Sequence, residues 1–363
     1  MDLGIIGRAR AGKTTLFNAV TRGTARVGEY SARDEPNVGV VRVPDPRVDA
    51  LARIFKPKKI TYAEIRWVDY PVAGFEAAGP GQRLLAELAG MDALVHVARA
   101  FEDDAVPHPD GSVDLDRDIE SLDLELAFAD LALIERRFER IDAEMRSIKA
   151  SERGRIERDR ALLERVRAAL EAGTHVHAIE LSETERRELA GYQFVTRPPQ
   201  LLVVNVGEDQ LAEAEALRAR YSERYAGRGR AAAVLCARLE AELATLDEAE
   251  AAEFRADLGL EREFLLDRTI QIAYELLGVC SFLTVGEDEC RAWTVRAGAT
   301  APEAAGAIHS DLQRGFIRAE VARWDELVDA GSLAELRKRG RLRTEGRDYV
   351  VQDGDVLNIL FNV

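Results

Sequence analysis

The chain has 363 residues, enough for two or three domains with cores of their own. A composition of 47% hydrophobic and 32% charged residues argues against a disordered chain, and a formal net charge of −15 argues against protein-wide attraction to DNA or an anionic membrane. Cys236, Cys280 and Cys290 show no CxxC spacing, which disfavours a disulfide framework or a zinc site. MDLGIIG carries no basic leader and no apolar run approaches ~18 residues, so a cytoplasmic protein is expected.

In chain order, Leu3-Gly-Ile-Ile6 predicts a short buried strand and Lys13 to Val20 a helix. Val38 to Val43, Ile60 to Asp69 and Asp92 to Ala98 predict strands, and this alternation with helices implies a mainly parallel sheet covered on both faces. Ile119, Leu122, Leu126, Ala129 and Leu133 then keep a 3-4 spacing, which resumes after a one-residue slip at Ile134, Phe138, Ile141, Met145 and Ile148. A turn is expected at Ser151 to Gly154, followed by a second helix carrying Leu163, Val166 and Leu170. Two antiparallel helices forming an arm fit this pattern; two amphipathic helices packed on the sheet are the alternative. Gln200 to Asn205 and Ala231 to Cys236 return to buried strands, so the arm is inserted within one sheet domain. A helix over Glu261 to Leu277 precedes a small α+β domain, with strands at Thr284, Trp293 to Val295 and Val356 to Phe361 and a helix at Ala301 to His309.

The stretch GRARAGKTT has Gly7, four residues, then Gly12-Lys13-Thr14, after a strand and before a helix. That context predicts a phosphate-binding loop over Gly7, Arg8, Ala9, Arg10, Ala11, Gly12, Lys13, Thr14 and Thr15. Its amides would curl around a β-phosphate at the positive end of the helix. Lys13 would add charge between the β and γ phosphates, and the Thr14 hydroxyl would ligate Mg²⁺. Asp69, ending Ile65-Arg-Trp-Val-Asp69, is placed to carry the same Mg²⁺; capping a turn is its plainer role. After a late strand, Asn205-Val206-Gly207-Glu208 stands where GTP-specific proteins have Asn-Lys-x-Asp. Val206 replaces the Lys and the longer Glu208 the Asp, so the guanine-specific pair is lost and adenine becomes a credible ligand.

With EPNVGVVRVPDPRVDALARIFKPKKI, the NVGE element, CARLEAELATLDE, RAWTVRAGATAPEAAGAIHSDLQRGFIRAEV and EGRDYVVQDGDVLNILFNV, nearly the whole chain resembles the YchF family, the Obg-like ATPases of the translation-factor-related P-loop class. The resemblance implies a nucleotide-binding domain in two parts (1–113 and 191–278), an inserted coiled-coil arm (114–190) and a C-terminal TGS domain of β-grasp-like character (279–363). It further implies ATP preferred over GTP, Mg²⁺-dependent slow hydrolysis, and association with the ribosome or its RNA, with a monomer expected. It adds Cys236, Ala237 and Arg238 to Asn205, Val206 and Glu208 on the nucleotide. His108, a few residues past Phe101-Glu-Asp-Asp104, stands where the family places a histidine thought to assist hydrolysis; a solvent-exposed loop histidine is the alternative.

Several positions depart from the family pattern. Its loop resembles GLPNVGKST, so Arg10 takes the place of an asparagine that helps related potassium-activated NTPases hold a monovalent cation. The Arg10 guanidinium is therefore expected to supply that charge in cis, as an arginine finger does. Arg33 replaces a switch threonine, and DIAG becomes DYPVAGF, with Val72 at the glycine position or the glycine displaced to Gly74. Ala73 or Phe75 stands where a water-orienting Gln would follow. An ATP hydrolase is the leading expectation. A nucleotide-responsive ribosome- or RNA-binding module with little hydrolysis is the first alternative, and a GTPase the second. Arg337-Lys-Arg-Gly-Arg341-Leu-Arg343 with Arg347 is the most concentrated basic patch, a candidate RNA-facing surface unless Glu335 and Glu345 balance it. His96 is expected to be a core histidine, and His175 and His177 to lie in a polar loop after the arm.

Overall fold

Apolar runs without alternation make strands buried on both faces, and three of them lie side by side within the first sheet. The computed structural model describes residues 1–23, 35–70, 81–147, 149–227, 229–257 and 266–362. The chain opens with β1 (Asp2–Ile6), α1 (Lys13–Thr21), β2 (Asn37–Arg42), α2 (Pro46–Phe55), β3 (Lys59–Thr61), β4 (Glu64–Asp69), α3 (Gln82–Ala89) and β5 (Ala93–Arg99). The single strand expected over Ile60 to Asp69 is thus two. The middle holds α4 (Leu115–Met145), α5 (Ala150–Glu171), α6 (Glu183–Leu189), β6 (Gln200–Asn205), α7 (Ala214–Tyr225), β7 (Arg230–Leu235), α8 (Ala237–Leu243), α9 (Glu248–Asp257) and α10 (Leu266–Leu276). The last part holds β8 (Val279–Thr284), β9 (Glu289–Arg296), α11 (Ala301–Ile308), α12 (Ser310–Arg314), β10 (Phe316–Arg323), α13 (Trp324–Ala330), α14 (Leu333–Lys338), β11 (Arg343–Glu345) and β12 (Asp355–Phe361).

The chain divides into two compact units: Met1–Gly39 with Arg66–Leu276, and Val40–Ile65 with Leu277–Val363. Residues 40–65 thus group with the C-terminal part, a grouping that the boundary at 1–113 does not contain. The first sheet runs β2-β4-β1-β5-β6-β7, with β4, β1, β5, β6 and β7 parallel, as strand–helix alternation requires. The second runs β11-β10-β12-β8-β9-β3, mixed, with β3 parallel to β9 at its edge. In the C-terminal unit, α11 begins with a Thr300–Glu303 capping box and packs Ala301, Ala304 and Ala305 under this sheet with Phe282 and Val321.

Both readings of the arm hold, each for part of α4. Leu122 and Leu126 pack with Ile6, Val68 and Leu94 of the sheet, whereas Ile134, Phe138 and Ile141 pack with Ile156, Leu163, Val166 and Leu170 of α5. Ala127 and Leu133 already pack with the α5 cluster, so the change of partner begins ahead of the one-residue slip in the apolar spacing. α4 ends at Met145 and α5 begins at Ala150, so Ser151 to Gly154 lie inside α5, a correction of the expected turn. Lys149, in the extended conformation, starts α5, and Arg- and Glu-rich sequence carries it through the glycine. At the base of the arm, Asp130, 1% exposed, accepts hydrogen bonds from Val195 N (2.8 Å), Thr196 N (2.9 Å) and Thr196 Oγ1 (2.6 Å). No described helix is long and apolar enough to cross a membrane. The three cysteines are buried and free.

His175 and His177 are not in a polar loop. A single 3₁₀ turn, Val176–Ala178, buries His175 beneath α4, where its Nδ1 accepts from Arg230 Nη2 (2.9 Å) and its Nε2 donates to the Asp123 carbonyl (3.2 Å). Arg230 also forks onto the Asp123 carboxylate (2.8 and 2.7 Å). His96 is buried in β5 as expected, and burial lowers its imidazole to about 4. The folded state therefore refuses a proton that the unfolded chain takes near pH 6.5. Stability should be lost as pH falls from about 6.5 to 4, by on the order of 3 kcal/mol from this residue. Urea unfolding of His96→Met beside the parent at pH 7 and pH 4.5 checks this: the variant should lose less stability on acidification.

Candidate functional site

β1 ends in a loop whose backbone only particular residues permit. Gly7 has φ +147°, and a Cβ there would lie 2.4 Å from the Val97 carbonyl oxygen of β5. Gly12 has φ +93°, with a would-be Cβ 2.3 Å from Asn205 Nδ2. Between them Arg10 takes the left-handed conformation at φ 61°, uncommon for a side-chain-bearing residue. Gly12 is the N-cap of α1 and offers no side-chain cap, so the amides of the first helical turn stay available to an anion. Lys13, 3% exposed, donates from Nζ to the carbonyls of Gly7 (2.8 Å) and Arg8 (2.9 Å), which centres the ammonium inside the curl.

Thr14 and Asp69 meet as the sequence predicts. Thr14 Oγ1 donates to Asp69 Oδ2 (3.0 Å), and Asn37 Nδ2 donates to the same oxygen (3.2 Å). Asp69 Oδ1 is buried and has no hydrogen-bond partner among the described residues. Burial raises the Asp69 carboxyl above its ordinary range, opposed by Asn37, Thr14 and Lys13. A hydroxyl, a carboxylate and an orphaned carboxylate oxygen form the donor set a hard divalent cation takes, so these residues fit Mg²⁺. Asn37 was missed in the sequence because it lies in an exposed-looking stretch; only its approach to Asp69 identifies it. Thr15 occupies the next helical position, half-buried. Arg33, Val72, Ala73, Gly74 and Phe75 lie outside the described residues.

Asn205 ends β6 and fastens two segments together. Its Nδ2 donates to the Ala11 carbonyl (3.0 Å) and its Oδ1 accepts from Ala237 N (2.9 Å), both buried. The loop Gly7–Thr15 is thereby tied to Cys236-Ala237-Arg238 at the start of α8. Glu208 is exposed at the head of a 3₁₀ turn, and Arg238 is exposed and pairs with Glu242 (3.2 Å). The Cys236 thiol is pushed up by burial. Val206 is a correction. At 1% exposure its side chain packs with Leu202, Val204 and Val234, so it can meet a ligand only through its backbone.

His108 is also not a solvent-exposed loop residue. It is 8% exposed; its Nε2 donates to Asp118 Oδ2 (2.8 Å), and its Nδ1 accepts from Asp110 N (3.1 Å). Arg117 holds the other Asp118 oxygen through Nε (3.0 Å) and Nη2 (2.9 Å). The loop arginines reach the same place. Arg8 donates to Asp110 Oδ2 (2.7 Å) and Ser121 Oγ (2.7 Å), and Arg10 to the Pro107 carbonyl (2.9 Å). His108, Asp110 and Asp118 present ligand atoms within 4.8 Å of one another, but Arg8 and Arg117 already balance the two carboxylates. Arg99, buried at the end of β5, donates to the carbonyls of Phe101 (3.0 Å) and Val106 (2.7 Å), fixing the approach to this turn.

Residues 279–362 match the family model YchF-GTPase_C ("Protein of unknown function (DUF933)"). A ribosome-binding ATPase YchF of Bacillus subtilis is 37% identical over the full length of both chains. The Haemophilus influenzae protein of the same name is 39% identical over 99% of each. The chain belongs to the YchF family. A solved structure of the family, titled the Schizosaccharomyces pombe YchF GTPase, superposes with a TM-score of 0.83 at 27% identity, covering 99% of this chain and 97% of that one. The α/β P-loop fold with an arm and a C-terminal domain is thus that of the family.

The C-terminal basic run is accompanied by acids almost residue for residue. Arg337 pairs with Glu320 (2.6 Å), Arg339 with Glu335 (3.2 Å), Arg341 with Glu326 (3.5 Å) and Arg343 with Glu345 (3.4 Å). Arg347 donates to the Phe316 carbonyl (3.1 Å). Beyond Glu335 and Glu345, the balancing acids come from β10 and α13, which the local sequence does not reveal.

Proposed function

We propose that this YchF-family chain binds a purine nucleoside triphosphate with Mg²⁺ at Gly7–Thr15, hydrolyses ATP slowly, and acts at the ribosome. The single observation that carries the reading is the meeting of Lys13, Thr14 and Asp69 at the uncapped start of α1. Relatives named ribosome-binding ATPases support the activity and the partner. Bound Mg²⁺ would neutralise charge on the β and γ phosphates. The chain's own part is to wrap the phosphates in loop amides, to place Lys13 against them, and to hold the cation's ligands through Asp69 and Asn37. Asn205 with Cys236-Ala237-Arg238 would frame the base. Glu208 in place of Asp supports ATP over GTP, although the fission-yeast relative is titled a GTPase. A monomer in the cytoplasm is part of the reading.

Calorimetry with Mg-ATP and Mg-GTP, beside steady-state phosphate release with and without ribosomes, tests it; absence of heat for both nucleotides would sink it. Asp69→Asn removes the ionised carboxylate while keeping an acceptor for Thr14. It should weaken Mg²⁺ affinity in the nucleotide complex roughly 10–100-fold, read by magnesium titration at fixed ATP. A second reading, a nucleotide-responsive binding module with little hydrolysis, is favoured by the commitment of both His108 ring nitrogens to internal partners. Phosphate release at the level of buffer, with nucleotide bound, would select it.

A further inference from the structure

We propose that Arg8 and Asp110 form a latch that keeps His108 stored, and that a polyphosphate opens it by drawing Arg8 from Asp110. The inference rests on the nucleotide reading above and assigns positioning roles to Arg8, Asp110 and Asp118. Because His108 Nδ1 accepts an amide hydrogen, the ring proton sits on Nε2, facing the Asp118 carboxylate. The lone pair that could orient or deprotonate a water is therefore the one the Asp110 amide occupies. His108 can act only after that amide moves away, and Asp118 with Arg117 fixes the ring meanwhile.

What moves Asp110 is set by its partner. Arg8 lies in the phosphate loop, and its ion pair with Asp110 is partly open to water, with side chains 28% and 40% exposed. Such pairs are weak and screened by salt. A triphosphate gripped by the same loop offers several charged oxygens to the guanidinium, a stronger and more complementary partner than one carboxylate. Arg8 keeps its second bond to Ser121 of α4, so it can exchange one acceptor without leaving the site. Arg10 steadies the turn through the Pro107 carbonyl.

The test uses full-length protein with ¹⁵N-labelled histidine, the His108 signals being assigned through His108→Gln. Ring ¹⁵N shifts report the tautomer and the hydrogen bond at Nδ1. Binding of a non-hydrolysable ATP analogue with Mg²⁺ is followed in parallel by calorimetry. The parent protein should give an Nε2–H tautomer with a bonded Nδ1, and the analogue should shift Nδ1 toward its unbonded position. Asp110→Ala should show that shifted position without nucleotide and raise kcat by up to roughly fivefold with KM little changed. Arg8→Gln should raise KM and release the ring without nucleotide. If calorimetry shows binding while His108 does not respond, the latch is wrong and the nucleotide reading stands. If nothing binds, the nucleotide reading fails; an unchanged His108 in Asp110→Ala would then overturn the latch independently.

Discussion

Lys13→Ala should weaken Mg-ATP binding by roughly two orders of magnitude or more, the largest functional effect of any single change here, since each charge-assisted bond contributes about 1.5–3 kcal/mol. The ammonium is almost wholly enclosed and already sits at the loop's centre, so its alignment costs a ligand no rearrangement of the side chain. Truncation removes a positive charge from the middle of a curl designed around anions, and it also frees the Gly7 and Arg8 carbonyls to turn inward. Of those two acceptors the Gly7 carbonyl is buried and the Arg8 carbonyl partly so, and leaving them unpaired should cost about 1–3 kcal/mol of stability as well. Calorimetry and thermal melting on the same preparation separate the two effects. A variant that melts like the parent and still binds ATP within threefold or so would contradict the central role given to this ammonium.

Asn205→Ala should be the most damaging single change to stability, at roughly 2–5 kcal/mol, because it strands two buried main-chain groups at once. Ala11 O and Ala237 N each lose their partner, and both bonds are buried, so each group is left unpaired away from bulk solvent. Nucleotide affinity should fall with it, since the phosphate loop and the start of α8 are positioned through this one amide. Asn205→Asp is the informative companion. It retains an acceptor for Ala237 N but sets a carboxylate oxygen against the Ala11 carbonyl, so it should rescue little. Urea midpoints for both variants check the argument, and a loss below about 0.5 kcal/mol for the alanine variant would refute the clamp.

The parts of the site that could be read in advance are those whose geometry is local. A strand, two glycines at fixed spacing and a helix specify where Lys13 and Thr14 point, and Asp69 follows from ending the neighbouring parallel strand. Val206 was also within reach. Leu202, Val204 and Val206 share one face by the two-residue repeat of a strand, which continues one residue past the end of β6 and turns Val206 into the core while Asn205 faces the loop. The partners of His108 were not. Asp118 reads as an ordinary acidic residue in the first turn of a helix, where it would complement the dipole, and nothing local announces that a histidine ten residues earlier folds back onto it. The destinations of Arg8 and Arg10 lie about a hundred residues away, after the neighbouring strand β5, and their position in a phosphate motif pointed to the ligand rather than to that turn. Residues 40–65 show the same limit at the level of the fold. Their strand–helix rhythm suits either sheet, and long-range contacts decide between them: β3 pairs with β9, and α2 packs on β9 and α13.

That pairing bears on how the molecule is made. No contiguous stretch holds all parts of the C-terminal unit: residues 277–363 alone would leave β9 with a bare edge and α13 without the helix it packs on. During vectorial synthesis α2 emerges early with an apolar stripe of Val48, Leu51 and Ala52, whose packing partners β9 and α13 are made more than 200 residues later. This short stretch of the nascent polypeptide needs shielding until β9 and α13 have emerged.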